Sequence, residues 1–189
     1  MSATISRRGG SGLLGRFFGS RSSSLPADAA LIAARVGLAW IFIYYGGSKL
    51  FGWFTGPGPH GIHETSLYFA HAAGLTPGGF FAVLGGITEF FGGIAIALGL
   101  FTRLAGLALF ADMVIAMITV TWATGFNSAH APPGYQLNIP VAILALMLAL
   151  LGPGRFSLDG LIARRLRTGK AGSPEGDSPE SAKATRLVS

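Results

Sequence analysis

Residues 85–106 of this chain read GGITEFFGGIAIALGLFTRLAG and place one carboxylate, Glu89, inside an apolar run that extends from Phe80 to Phe101. Small residues recur around this acid at spacings of three, four and seven, so they share one face of a helix. The members of this face are Gly85, Gly86, Gly92, Gly93, Ile96 and Gly99. Because glycine lets a second helix backbone approach closely, the pattern predicts a membrane helix whose carboxylate points into protein rather than lipid.

Three further apolar runs approach or reach the roughly 17–25 residues that a helix needs to cross a bilayer. They are Ala29–Phe51, Leu104–Thr124 and Leu137–Gly152. The composition agrees, since 12% of the residues are charged against about 25% in soluble domains. The sequence therefore predicts an all-α membrane protein built as a four-transmembrane-helix bundle.

The formal net charge of +6 is distributed in a way that excludes nucleic acid as the expected partner and favours the lipid bilayer. Lys and Arg precede the first run, occur in the turn at Arg103 and follow the fourth run. The other two connections, Gly52–Gly79 and Gly125–Gln136, contain neither. Cytoplasmic segments of membrane proteins carry the excess of Lys and Arg, so we expect both termini to lie in the cytoplasm.

Three segments are expected along the chain: a basic cytoplasmic lead-in at 1–27, a membrane domain at 28–167 and a disordered cytoplasmic tail at 168–189. Within the outer connection, ETSLYFAHAAG (64–74) predicts a short helix that lies in the interface or caps the bundle. After the fourth run, SLDGLIARRLR (157–167) predicts an amphipathic segment on anionic lipid, with Ser157 as its N-cap.

Two more ionisable side chains lie inside apolar runs, Asp112 in the third and Arg35 in the first. An ionised group near the bilayer centre costs at least about 2.5–3.5 kcal/mol, so such groups usually find partners inside the bundle. Counted from the cytoplasmic ends, Arg35, Asp112 and Glu89 lie at depths of ~10, ~14 and ~18 Å. These depths predict that the three side chains meet in the inner half of the bundle.

The predicted cluster has two interpretations of comparable weight. As a quinone or proton site, its single arginine leaves a surplus negative charge on the two acids, which favours a retained proton. As a structural clamp, it fixes the register of the helices. Lys49, at the outer end of the first run, is expected to snorkel towards the surface. Lys49, Trp40 and Asn138 are the candidate contacts for a cofactor, although aromatic residues such as Trp40 are more typical of packing or of an interfacial belt.

Metal and haem chemistry find little support in the sequence. The chain has no cysteine, which excludes iron–sulfur clusters ligated in the usual way, and no histidine lies in an apolar run, which argues against haem held by paired histidines. His60, His63, His71 and His130 all fall in the outer connections. His60 and His63 have a feasible metal-ligand spacing, but solvated loop histidines are the favoured interpretation and no metal site is predicted.

The chain resembles the DoxX family of small four-helix membrane proteins. The resemblance rests on GGSKLFGW (46–53), on the stretch at 85–106 and on GPGRFSLDG (152–160). It implies a bacterial or archaeal cell membrane and a link to quinone-coupled oxidation, because one relative is the small subunit of thiosulfate:quinone oxidoreductase. Residues at polar positions of the family pattern are Arg35, Lys49, Glu89, Arg103, Arg155 and Asp159. Asp112 and the outer histidines depart from that pattern.

The leading hypothesis is a membrane subunit or accessory protein of a quinone-linked oxidoreductase system. Arg35, Glu89 and Asp112 would bind the quinone head group or pass protons, and a protein partner would carry the redox centre. The alternative is a scaffold or small-molecule permease without a redox role. Whether the chain is an enzyme by itself, and whether it forms a homo-oligomer, is left open by the sequence.

Overall fold

The computed structural model describes residues 25–54, 56, 58–126 and 134–171, with side chains up to residue 165. Within these ranges the chain is helical and contains no strand. The helices are α1 (Leu25–Phe51), α2 (Gly61–His71), α3 (Gly78–Leu98), α4 (Thr102–Ala116), α5 (Asn138–Leu151) and α6 (Leu158–Ala171). Beyond Ala116, α4 continues as a π-helix at Met117–Thr121 and a 3₁₀ turn at Trp122–Thr124.

Three helical segments are long and apolar enough to cross a membrane: Leu25–Phe51, Gly78–Leu98 and Thr102–Thr124. The fourth apolar helix, α5, has 14 residues and spans about 21 Å, which is shorter than the hydrocarbon core. The predicted all-α membrane class is confirmed. The predicted fourth run is helical, but over a shorter length than its sequence indicated.

Helices α1 and α3 form an antiparallel pair held together by glycine contacts. A Cβ placed on Gly46 would collide with the backbone of Phe90, and one on Gly86 would lie 2.7 Å from the Leu50 side chain. Contacts this close require the absence of a side chain. Because the two helices run in opposite directions, these contacts place Lys49 of α1 opposite Glu89 of α3.

A second pair is formed by α4 and α5, where a Cβ on Gly106 would approach the carbonyl oxygen of Ala145 to 2.8 Å. The two pairs meet around a small apolar core that comprises Leu38, Ala39, Phe42, Ile96, Leu109, Ala145 and Leu148. Large apolar side chains cover the outside, including Trp40 with 70% of its surface exposed. An apolar exterior of this kind is what a lipid environment requires.

One end of the bundle, here called the turn end, comprises the α3–α4 turn (99–102) and residues 152–160. Asp159 accepts hydrogen bonds from the backbone N–H groups of Phe101 (2.8 Å) and Thr102 (3.0 Å), and so caps the start of α4. Ser157 accepts a hydrogen bond from the N–H of Gly160 at 3.0 Å. This is the geometry of an N-cap, which confirms the predicted cap of α6.

The opposite end is covered by α2, which packs on the start of α3: a Cβ on Gly78 would collide with the carbonyl oxygen of Ser66. The predicted short helix is therefore present, and it begins at Gly61. The predicted lead-in and disordered tail fall almost entirely outside the described residues. Helix α1 already begins at Leu25, ahead of the expected boundary at residue 28, and α6 continues to Ala171, beyond the expected boundary at 167.

Candidate functional site

A buried ion pair joins α1 to α3. Lys49 Nζ lies 2.7 Å from Glu89 Oε1, and the Glu89 side chain is 2% exposed against 20% for Lys49. The ammonium group also lies 5.8 Å from the centre of the Phe69 ring of α2, within the range of a cation–π interaction. Lys49 therefore turns inward instead of snorkelling to the surface, and that expectation was wrong.

Asp112 of α4 joins this pair as a second carboxylate. It interacts electrostatically with both Glu89 and Lys49, and its Oδ1 lies close to Gly85, where a Cβ would approach it to 3.8 Å. Glu89 Oε2 and Asp112 Oδ2 are both buried and have no hydrogen-bond partner among the described residues. One ammonium faces two carboxyl groups. If both carboxyl groups were ionised the cluster would carry one surplus negative charge, which a single bound proton neutralises.

Arg35, the third member of the predicted cluster, lies elsewhere. Its guanidinium donates to the backbone carbonyls of Ile96 (2.9 Å) and Ala97 (2.8 Å) at the end of α3. It also donates to the carbonyls of Pro153 (3.1 Å) and Phe156 (2.8 Å) in the loop after α5. Carbonyl groups in the last turn of a helix lack the full set of intrahelical partners, and the guanidinium supplies donors to them and to the loop. Arg35 is a structural clamp at the turn end, and its predicted convergence with Glu89 and Asp112 was wrong.

The error arose from the assumption that the helices end at the same level. Helix α1 begins at Leu25 and projects past the end of α3, so Arg35 lies beside Gly99 rather than beside Glu89. Ten residues separate position 99 from position 89, which corresponds to about 15 Å along a helix. Lys49 takes the place beside Glu89 that had been expected for Arg35. Gly46 and Gly47 match the glycine pairs of α3, and pairing them brings the lysine to Glu89.

The Lys49–Glu89 pair forms one end of a cavity of about 320 Å³. The polar residues that line it are Tyr45, Lys49, Glu89, Thr121 and Asn138, and the remaining lining is mainly apolar. Lys49 and Asn138, two of the three predicted cofactor contacts, are thus brought to one cavity. Trp40, the third, is absent from the lining and points outward, so its prediction as a contact was wrong.

The wall contributed by α4 is irregular. Val120 and Thr121, which line the cavity, belong to the π-helix at Met117–Thr121. A π-helical turn is rare and often occurs at a functional site, because the extra residue displaces side chains from regular helical positions. The sequence offered no signal for this feature, since the segment reads as an ordinary apolar helix.

The histidines do not assemble a metal site within the described ranges, where no group of three potential ligands occurs. His60 uses both ring nitrogens in the structure: Nδ1 lies 3.2 Å from Ser48 Oγ and Nε2 lies 2.9 Å from the carbonyl oxygen of Gly56. His63 and His71 are exposed on α2. His130 lies outside the described residues.

These features define an all-helical membrane protein with a buried lysine–carboxylate cluster at the end of a mainly apolar cavity. The DoxX family model matches residues 30–122 of this chain. The matched segment contains Lys49, Glu89 and Asp112, whereas Asn138 and α5 follow it.

Two relatives are membrane proteins. Inner membrane protein YqjF of Escherichia coli K12 is 28% identical over 140 residues, which cover 73% of this chain and 95% of that protein. Uncharacterized membrane protein Rv3486 of Mycobacterium tuberculosis is 32% identical over 103 residues, covering 49% of this chain and 61% of that protein. No solved structure matches the chain significantly.

Proposed function

We propose that this chain is a membrane subunit or accessory protein of a quinone-linked oxidoreductase system. The observation that carries the proposal is the cavity that ends on the Lys49–Glu89 pair, with Asp112 behind it. Pockets for organic cofactors are typically apolar with a few well-placed polar groups, and this cavity has that character.

The residues present fit a quinone head group. The Lys49 ammonium is a donor that can bind a ring carbonyl, and the Asn138 amide at another part of the lining can bind a second polar group. Tyr45 and Phe42 supply aromatic surface next to the ring position. Arg35 has no part in this site, and Lys49 takes the cationic role that the sequence had assigned to the arginine.

Reduction of a bound quinone to a quinol consumes two electrons and two protons. The Glu89 carboxyl group lines the cavity and the Asp112 carboxyl group lies next to it, so this pair can hold one of the two protons and deliver it to the cavity; we propose that the second proton comes from water. The chain has no cysteine, and we propose that the electrons arrive from a protein partner that carries the redox centre.

We further propose that the protein resides in the cell membrane as a four-span bundle with both termini in the cytoplasm. The support is the Lys and Arg distribution, together with the inner-membrane relative. With this orientation the turn end is cytoplasmic, and α2 and the Lys49–Glu89 pair lie in the outer half. Reporter fusions at the N-terminus, at the α2 connection and at the C-terminus test the orientation.

The decisive experiment is mass spectrometry of the lipid extract of the purified protein. Co-purified ubiquinone or menaquinone is expected from the wild type, with a reduced amount from Glu89→Gln and an unchanged amount from Glu64→Gln, an exposed acid on α2. Equal quinone content in all variants, at the level of an unrelated membrane protein, would remove the proposal.

The alternative function, a scaffold or small-molecule permease without a redox role, is separated by a second measurement. Reconstitution in liposomes with a panel of small solutes would show flux through a permease. Two results would support the redox function instead. One is a soluble oxidoreductase recovered by crosslinking in native membranes, and the other is quinone-reduction activity that Glu89→Gln abolishes.

A further inference from the structure

We propose that the cavity is loaded from the side, between α1 and α5, by a ligand that carries a hydrogen-bonding ring on an apolar tail. This inference rests on the proposed function, because it names the route and the class of ligand for the same site. The residues that form this side gap are Ile41 and Tyr45 of α1, Val141 of α5, and Leu137 directly before α5.

The arrangement of the helices leaves this side less closed than the others. Helix α1 packs mainly on α3, and α5 packs mainly on α4, so the contact between α1 and α5 is slight. Tyr45 and Leu137 both line the cavity, yet they are 47% and 57% exposed. A residue that lines a cavity and also faces outward marks a place where the cavity reaches the surface. In a membrane this surface faces lipid.

Among the described residues, α2 covers the Lys49 side of the cavity. Its Phe69 ring lies 5.8 Å from the Lys49 ammonium. His60, just before α2, is tied to Ser48 of α1 by a contact of 3.2 Å, and the close approach of Gly78 to Ser66 holds α2 on α3. A water-soluble ligand that entered past Phe69 would have to displace α2.

The volume of the cavity determines which part of the ligand fits inside it. A volume of about 320 Å³ lies at the low end of the roughly 300–1,000 Å³ of ligand pockets. It holds a substituted ring but not a long chain as well. With the ring against Lys49 and Glu89, a tail attached to it must leave through the side gap, where the lining side chains Ile41, Leu137 and Val141 are apolar.

The first test measures ligand binding to the full chain in lipid nanodiscs. The probes are decylubiquinone and the same ring without a tail. We expect Leu137→Trp to fill the side gap and to lower the affinity for decylubiquinone by about tenfold, with a smaller effect on the tail-less ring. The matched control is Ile143→Trp on α5, the helix that Leu137 precedes; Ile143 is 53% exposed and does not line the cavity, so this variant should bind both probes as the wild type does.

The second test does not depend on a variant that folds. A decylubiquinone analogue with a diazirine on its tail is bound to the wild-type protein and photolysed, and the labelled peptides are identified by mass spectrometry. Labels on Ile41, Tyr45, Val141 and their lipid-facing neighbours support the side gap. Labels on α2 would overturn it.

The outcomes also separate this inference from the proposed function. If the wild type binds neither ring, the proposed function fails and the side gap fails with it. If the wild type binds both rings with equal affinity and Leu137→Trp changes nothing, the quinone site stands and only the route and the tail are wrong.

Discussion

Lys49 and Glu89 are 40 positions apart in the sequence, yet Lys49 Nζ donates a 2.7 Å hydrogen bond to Glu89 Oε1 between two antiparallel helices. The contact depends on the glycine-mediated approach of α1 to α3 one turn away, where Gly46 meets the backbone of Phe90. Backbone packing and the buried ion pair therefore support each other.

Removal of the lysine should destabilise the protein more than removal of the whole pair. Lys49→Met leaves two buried carboxyl groups without their counter-charge, and breaking a buried pair in this way costs about 3–5 kcal/mol. The double variant Lys49→Met/Glu89→Leu should recover a large part of the loss. A double-mutant cycle on unfolding in detergent, with Glu89→Leu as the second single variant, measures the coupling. A coupling near zero would mean that the pair does not form in the membrane protein.

The α1–α3 contact predicts opposite responses at two glycines of one helix. Gly46→Ala forces a methyl group into the backbone of Phe90 and should destabilise the protein by about 1–3 kcal/mol, as overpacking does. Gly37→Ala is the matched control, because nothing lies within 4 Å of its added Cβ. Since alanine is the better helix former, by about 0.5–1 kcal/mol, Gly37→Ala should leave stability equal or higher. Equal losses at both positions would contradict the packing.

The sequence was sufficient for the general architecture because hydrophobic run length and small-residue spacing are local properties. It placed Glu89 inside the protein, identified the cap at Ser157 and brought Lys49 and Asn138 forward as candidate contacts. It could not determine which cation meets Glu89, because this depends on how far α1 projects beyond α3. A shift of one or two turns between helices changes no residue's periodicity, but it exchanges Arg35 for Lys49.

Two other failures have a similar physical origin. Trp40 was a candidate contact because it lies on the same helix as Phe42 and Tyr45, but the rotation of α1 turns it outward. The π-helix at Met117–Thr121, beside the cavity, is a local change of winding within an apolar segment. A helix that is apolar on all sides has no sequence pattern that fixes its rotation. A local change of helical winding also leaves no clear pattern in the sequence.

Substitution at Arg35 should affect folding rather than ligand binding. Arg35→Lys keeps the charge but loses the planar fork that satisfies four carbonyl groups, so we expect a loss of about 3 kcal/mol or more. The matched control is Arg103→Lys, since among the described residues Arg103 donates to two carbonyls, those of Ala149 and Leu150, and its replacement should cost less. Thermal unfolding in detergent ranks the two variants. If Arg35→Lys folded normally but lost quinone binding, Arg35 would have to be a part of the binding site.

The cluster should retain one proton between its two acids. Glu89 Oε2 and Asp112 Oδ2 are buried without partners among the described residues, and one ammonium faces both carboxyl groups. A single proton retained by the two acids therefore balances the charge. Infrared spectroscopy of the protein in lipid should show a protonated carboxyl stretching band at neutral pH that shifts in heavy water. Asp112→Asn should remove this band with little change in stability, because the amide replaces a neutral acid at similar volume.

The companion variants decide how the band is assigned. Glu89→Gln should also remove it, with a larger loss of stability, since the amide gives up the ion pair with Lys49. Glu64→Gln changes an exposed acid on α2 that accepts a hydrogen bond from the N–H of His60, and the band should persist. A spectrum without the band in the wild type would mean that both carboxyl groups are ionised and that the cluster holds no proton to deliver. A band that is unchanged in Asp112→Asn would mean that Asp112 does not carry the proton.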